Sequence, residues 1–479
     1  MYSKVRVTPK IFQDGKLIDL KAKIFRNGEL MDLNIEMYEE YLEPVPLWTA
    51  VTTRLLLNGQ VREGRAFEVP ELHRVIHTVE LNNLTPDTVY NFAIPDDATT
   101  VYVTFKGDPS ENMVVHWQTE TPVAPKGYTP NPNNTYKFRT LPASLNERSV
   151  TMISGGDIYQ SAAQLAKMQG VFDVVANRKP DFFVIAGDIA YADNIWSKRS
   201  NWHIFWDEWF QRVVNPEEPI TPLVVGIGNH EVGNGSWSIE YGGERFNFEE
   251  KKLGHNTWFA AQFAFPENGA YGVIDVGNYL SIVMLDSGHC SPLITGNDEQ
   301  TLWLQDTLNE RKTIPHVIPF THVPAFPASR SYEHPWSQRV REHWTPLFES
   351  HGGIKVVFEH HDHIYKRTVP IKHVDGEPVE HPDGIIYLGD GAFGVIRDGW
   401  NPYTTWYLED SKAYRYVQAE SGETHPLDGQ KGYENTIDEA WHMYETVFEN
   451  DKRTIRSINV LGDGFGTVYH TLVQEVEHV

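Results

Sequence analysis

Up to about residue 142 the chain alternates short apolar runs with polar turns. Segments 52–57, 75–81, 89–94, 100–105, 113–118 and 136–139 read as β-strands, and no long helical period lies among them. Leu84-Thr85-Pro86-Asp87-Thr88-Val89-Tyr90 has the form of a tyrosine corner, in which a phenol bonds back to the upstream backbone of a β-sandwich. From Ser149 the texture changes. Buried runs at 150–154, 181–186, 223–227, 279–285, 316–320, 354–358 and 384–388 predict strands, and the spacing of Ala, Leu, Met, Phe and Val over 161–177 predicts a helix. Strands alternating with helices predict an α/β domain. Past Trp400 the chain is aromatic and irregular until a final β-like pair at 454–460 and 466–473, and no internal repeat stands out.

Composition narrows the class. With 40% hydrophobic and 22% charged residues in 479, the chain is neither disordered, collagen-like nor coiled-coil, and its length allows two to four domains or one large enzyme core with an accessory module. The longest apolar runs, such as 280–285, fall far short of the ~18–20 residues that span a bilayer, so no membrane span is expected. No signal peptide is visible at Met1-Tyr2-Ser3-Lys4-Val5. A net charge of −24 argues against nucleic acid as a partner, and an anionic substrate needs local positive charge. Cys290 is the lone cysteine, so a metal must rest on His, carboxylate, amide or phenolate ligands, for which the 21 histidines give ample material.

Asp157, Asp188, Asn229, His322, His361 and His363 each follow closely on a buried run. Open α/β sheets place ligand sites at such strand ends. Taken singly each has a simpler explanation: an Asp caps the next helix, an Asn turns the chain, a lone His is a surface or satisfied core residue. Two Gly-Asp ends, a Gly-Asn-His-Glu end and a His-x-His end in one domain are not explained as separate caps. Two cations ~3.5–4 Å apart repel, and a shared carboxylate offsets that repulsion. Asp188, on a central strand, is the natural bridge. His361 and His363 share a face on a regular strand, or diverge to separate metals at a strand-to-loop turn.

The motifs Gly156-Asp157-Ile158-Tyr159-Gln160-Ser161, Gly187-Asp188-Ile189-Ala190-Tyr191-Ala192-Asp193, Gly228-Asn229-His230-Glu231, Thr321-His322-Val323-Pro324 and His361-Asp362-His363-Ile364-Tyr365 resemble, in order and spacing, those of the calcineurin-like metallophosphoesterases, and within them the purple acid phosphatases. Gly389-Asp390-Gly391 is similar to the family's late glycine turn. Tyr136-Lys137-Phe138-Arg139-Thr140 is similar to its junction with a fibronectin-like domain. The resemblance implies an α/β metallophosphoesterase sandwich, two mixed β-sheets flanked by helices, at 146–479, including a C-terminal extension from about 400. It implies an N-terminal all-β, fibronectin type III-like domain at 1–145, of irregular strand order because Val114-Val115-His116-Trp117 follows the corner.

By the same resemblance Asp157, Asp188, Tyr191 and His363 hold Fe(III), and Asp188, Asn229, His322 and His361 hold a divalent Fe, Zn or Mn. A phenol of reference pKa ~10 ionises near neutrality only beside a strong Lewis acid, which is why Tyr191 points to a trivalent ion. The implied activity is that of a phosphoric ester hydrolase, cleaving phosphate monoesters by a metal-bound hydroxide. Asn229, His230, His334 and His360 would bind substrate, with His230 and His334 catalytic. Arg330 or Tyr332 equally fits the place of His334, and His360, standing where the family has glycine, either contacts substrate or exchanges roles with His361. A phosphodiesterase or phosphotriesterase on the same centre is the alternative, and a non-catalytic carbohydrate- or surface-binding protein with structural metals is the alternative of another class. The partner expected is a small phosphate ester; oligomeric state is not legible, and the resemblance favours a secreted or periplasmic location. Trp196, Trp202, Phe205, Trp206 and Trp209 read either as a substrate wall or, more commonly, as core.

Overall fold

The computed structural model describes residues 51–69, 72–120, 129–232, 257–265, 270–291, 294–327, 331–363, 366–389, 393, 442–460 and 465–476, with short strands within 1–40 and at 417–418. Contacts divide the chain into two compact units, Met1–Thr49 and Ala50–Val479. In the smaller unit Lys10–Gln13 pairs with Lys16–Asp19, and Ala22–Arg26 with Glu29–Leu33, both antiparallel. These pairs correct the expectation that no repeat is present. Lys10-Ile11-Phe12 recurs as Lys23-Ile24-Phe25, and Leu17, Asp19 and Leu20 recur as Leu30, Asp32 and Leu33. Asp14-Gly15 and Asn27-Gly28 supply the two-residue hairpin signal in each copy.

The first sheet of the larger unit has thirteen strands in the order Thr135–Arg139, Val89–Ala93, Val51–Leu57, Gln60–Val69, Arg74–Leu81, Met113–Glu120, Thr100–Thr104, Leu223–Gly226, Phe182–Ala186, Val150–Gly155, His442–Glu449, Lys452–Asn459 and Val468–Glu475. Leu223–Gly226, Phe182–Ala186 and Val150–Gly155 are parallel. Their runs are apolar throughout because both faces are covered. The strands from the first part of the chain continue this sheet through one parallel pairing, Thr104 opposite Leu223. In the corner at Tyr90, the backbone N–H of Thr85 donates to the phenolic oxygen at 2.8 Å. Gln60–Val69 and His442–Glu449 were not expected as strands. The first carries charges along a largely exposed face, and in the second Glu445 and Glu449 interrupt the apolar pattern although most positions are buried.

The second sheet runs Gly272–Val276, Leu280–Leu285, His316–Thr321, Val356–Glu359, Ile386–Gly389, Lys366–Thr368 and Val417–Gln418. Leu280–Leu285 through Ile386–Gly389 are parallel. The two sheets face each other, Phe358 meeting Tyr444 with ring centroids 5.4 Å apart. Helices close the outer faces. Ser200–Arg212 places Trp202, Phe205, Trp206 and Trp209 at i, i+3, i+4 and i+7, all at most 3% exposed, so these four are core; Trp196 is instead 54% exposed beneath the Arg199 guanidinium. On the other side Leu304, Leu308, Val340, Trp344 and Phe348 pack against Val283, Val317, Val357 and Tyr387. Asp298 caps Glu299–Glu310, its carboxylate accepting from Thr301 N–H. Among the described residues no helix is long and apolar enough to cross a membrane.

Two histidines lie within the β layer. His77 is held between the hydroxyls of Thr53 (2.9 Å) and Thr119 (3.2 Å), and His116 between those of Thr78 (3.1 Å) and Thr104 (2.8 Å). Their rings stack on Trp117 and Tyr102. Burial pushes both imidazoles down to about 3, so they are neutral.

Candidate metal centre

Five loops at the C-terminal ends of parallel strands converge. Val150–Gly155 leads to Asp157, Phe182–Ala186 to Asp188, Leu223–Gly226 to Asn229, His316–Thr321 to His322 and Val356–Glu359 to His361 and His363. The turns are tight. Asp157, Asp188, Tyr191, Asp193, His361 and His363 all have positive φ although none is glycine. Such conformations cost of order 1–3 kcal/mol each and gather where function over-determines the backbone. Gly187 and Gly228 make room, since a Cβ on Gly228 would stand 2.2 Å from Asp188 Oδ1 and 2.8 Å from His322 Cε1. Gly228→Ala is accordingly expected to cut bound metal and turnover by about 10–100-fold, measured by metal analysis of folded protein.

The donors form two groups that share Asp188: Asp188, His322 and His361, and Asp157, Asp188 and His363. Tyr191 hydroxyl joins the second group, 2.9 Å from Asp157 Oδ1 and 3.0 Å from His363 Nε2. Asn229 Oδ1 joins the first, 3.3 Å from His322 Nε2. His361 Nδ1 lies 3.2 Å from His322 Nε2. The positive φ of His361 and His363 takes them off any regular strand, and their rings part toward His322 and toward Asp157 respectively.

Electrostatics favour cations here. Asp157, Asp188 and Glu231 are at most 4% exposed, and carboxylates so close repel unless compensated. Asp188 Oδ2 is buried without a well-aligned hydrogen bond, 3.3 Å from His322 Nε2. Burial alone would push the Asp188 carboxyl up, but the imidazoles of His322 and His230 hold it well below the usual carboxylate range. Burial would push His322 down, yet Asp188 lifts it to about 9. Without a metal, a proton is what answers the negative charge. Burial and the charges of Asp157 and Asp188 push the Tyr191 phenol well above 10. The residues present fit two metal ions: an under-bonded shared carboxylate, mixed oxygen and nitrogen donors, and an excess of buried negative charge.

Other residues support these groups. Glu231 accepts from the backbone N–H groups of Asp188 (2.7 Å), Ile189 (2.7 Å) and Gly228 (2.8 Å), tying two of the loops together. Burial and the Asp188 charge push its carboxyl up to about 7. His230 Nδ1 lies 2.5 Å from Asp193 Oδ1, and Lys198 contacts the other Asp193 oxygen. His230 Nε2 stands 3.9 Å from Asp188 Oδ2, so the ring faces the shared carboxylate. In the sequence Glu231 and Asp193 stood only as members of their motifs, and nothing pointed to His289, whose ring meets that of His322 edge-on at 5.6 Å.

His360 and His334 lie differently. His360 Nδ1 is 3.0 Å from Thr321 O, and the ring stacks over Phe320 and lies against Gly156, in neither donor group. His334 sits at the N-cap of Pro335–His343, also in neither group. The start of its helix lies beside the centre, because Trp336 stacks on His289. Tyr332 is 8% exposed under Arg341; Arg330, Ile364, Tyr365, Asp390 and Gly391 lie outside the described residues.

Residues 155–365, which contain every donor named above, match the Calcineurin-like phosphoesterase family. The chain is 24% identical over 287 residues to purple acid phosphatase 18 of Arabidopsis thaliana, across 57% of this chain and 56% of that protein. It is 27% identical over 214 residues to the serine/threonine-protein phosphatase CPPED1 of Mus musculus, across 44% of this chain and 62% of that protein. This chain thus spans only 56% and 62% of the length of those two relatives. In fold it is similar to purple acid phosphatase PPD1 from yellow lupin (Lupinus luteus) seeds, with a TM-score of 0.51 over 93% of this chain and 77% of that one, at 14% identity.

Proposed function

We propose that the calcineurin-like phosphoesterase domain carried by residues 155–365 hydrolyses phosphate monoesters at a centre of two metal ions. The observation that carries this reading is the pair of donor groups sharing Asp188. In it, Asp157, Asp188, Tyr191 and His363 hold Fe(III), and Asp188, Asn229, His322 and His361 hold a divalent Fe, Zn or Mn. Bound there, the ions would polarise phosphate oxygens and make an attacking water acidic enough to act near neutral pH. The chain's own residues do the rest. Asp188 holds the two groups in one place, and Glu231 keeps its loop in register with that of Asn229. Asp193 fixes the His230 ring, so that Nε2 is the nitrogen turned to the shared carboxylate. Burial would push His230 down, but Asp188 and Asp193 more than offset it and raise its affinity for a proton. From that position Nε2–H can hydrogen-bond a phosphate oxygen and pass its proton to the leaving alkoxide. His334, beside the centre on its helix, is the second substrate histidine in this reading.

A fibronectin type III-like identity for the N-terminal strands belongs to the same reading, supported by the bond from Thr85 N–H to Tyr90. Turnover of an aryl monophosphate against a bis-aryl phosphate tests the substrate class; faster cleavage of the diester overturns the monoesterase assignment. Tyr191→Phe tests the metal. It is expected to abolish any visible phenolate-to-iron absorption while two metals and part of the activity persist, and an unchanged absorption band would remove Tyr191 from the ligands.

A further inference from the structure

Arg453 is wholly buried. It lies opposite Phe448, and Phe448 lies opposite Val150, the first residue of the strand whose other end leads to Asp157. Its Nε donates to Gln474 Oε1 at 2.6 Å, and Gln474 Nε2 donates to the carbonyl of Lys355, next to the Val356–Glu359 strand of the second sheet. Phe448 packs 5.2 Å from His316, where another strand of that sheet begins. The guanidinium therefore stands between the two sheets, at the pole remote from the metal centre.

Arg453 Nη1 and Nη2 are both buried and have no hydrogen-bond partner among the described residues. Among the described residues no carboxylate pairs with this side chain. Arg341, also buried, shows the usual arrangement: its Nη1 and Nη2 donate to the carbonyls of Ala325 and Tyr332. Burial pushes the Arg453 guanidinium down to about 9, which still leaves it protonated at neutral pH. A cation withdrawn from water needs a counter-charge as well as acceptors. Water would satisfy the donors but not the charge.

We propose that Arg453 Nη1 and Nη2 hold a small monovalent anion, a halide or bicarbonate, as the counter-ion that ties the two sheets at this pole. The two Nη groups present a planar fork, suited to bidentate capture of such an ion. This inference is independent of the phosphoesterase reading.

Crystals of the full chain soaked in bromide are expected to show an anomalous peak within hydrogen-bond distance of Nη1 and Nη2. At matched ionic strength, melting in bromide or bicarbonate should exceed melting in gluconate by at least about 2 °C. Arg453→Met, which replaces the cation with an apolar chain of similar length, should lose that difference. No peak at Arg453, with equal melting in all three salts, overturns the proposal in favour of water. A peak accompanied by the same salt response in Arg453→Met overturns it as an adventitious ion only. The bromide experiment on the unaltered protein keeps the test open should the variant not fold.

Discussion

If the proposed centre holds two metal ions per chain, Asp188→Ala protein is expected to retain well under one, and to lose at least about 10³-fold in phosphatase turnover. Asp188 is the one residue common to both donor groups, so its removal takes a ligand from each ion and the shared negative charge from between them. The backbone around it has separate support, since Asp188 N–H and Ile189 N–H are held by Glu231. Loss of metal should therefore come without unfolding. Asp188→Asn, which keeps the shape and removes the charge, is the sharper control. Inductively coupled plasma analysis of protein with an unchanged circular dichroism spectrum gives the measurement. A variant that still carries two ions would sink the bridging assignment, whatever its activity.

The centre was legible because each donor follows a run whose burial is written in its composition. Phe182-Phe183-Val184-Ile185-Ala186 can only be an interior strand, so the Gly-Asp that ends it must emerge at the sheet's rim. Pairing partners were less legible. The run at 100–105 says that a strand exists, but not that it will be buried on both faces, nor that Thr104 will meet Leu223 and join the β-rich part to the α/β core. Gln60–Val69 escaped notice because an exposed face filled with Arg and Glu resembles a loop until its neighbours are known. The side chains that hold donors in place escaped for a related reason. Glu231 is three residues from Gly228, yet its value lies in reaching Asp188 and Ile189, more than forty positions away by sequence. Arg453 gave no signal at all, since on an outer strand an arginine reads as surface.

The β layer should set the acid limit of the protein. His77 and His116 titrate near 6.5 in the unfolded chain and near 3 in the fold. Between those values the unfolded state binds the extra protons, so stability falls as pH falls. From pH 7.5 to pH 5 the loss is about 2 kcal/mol for each ring and about 4 kcal/mol for the pair. The whole loss is reached only near pH 3, where the folded rings at last protonate. Carboxylates held low in the fold, such as Asp188, add their own acid dependence, so the contrast with a double variant isolates the histidines. His77→Gln/His116→Gln keeps polar atoms between the threonines and removes the titration. Urea unfolding at pH 7.5 and pH 5 should show a smaller drop for the double variant, even if it starts lower; equal drops would mean that the rings accept protons in place. These rings stack on Trp117 and Tyr102, and Tyr102 in turn packs on Trp206 of the helix covering the first sheet. Opening of this layer should reach the donor loops. The acid limb of a pH–activity profile is then expected to follow loss of structure, and activity recovered on return to neutral pH would separate that from irreversible release of metal.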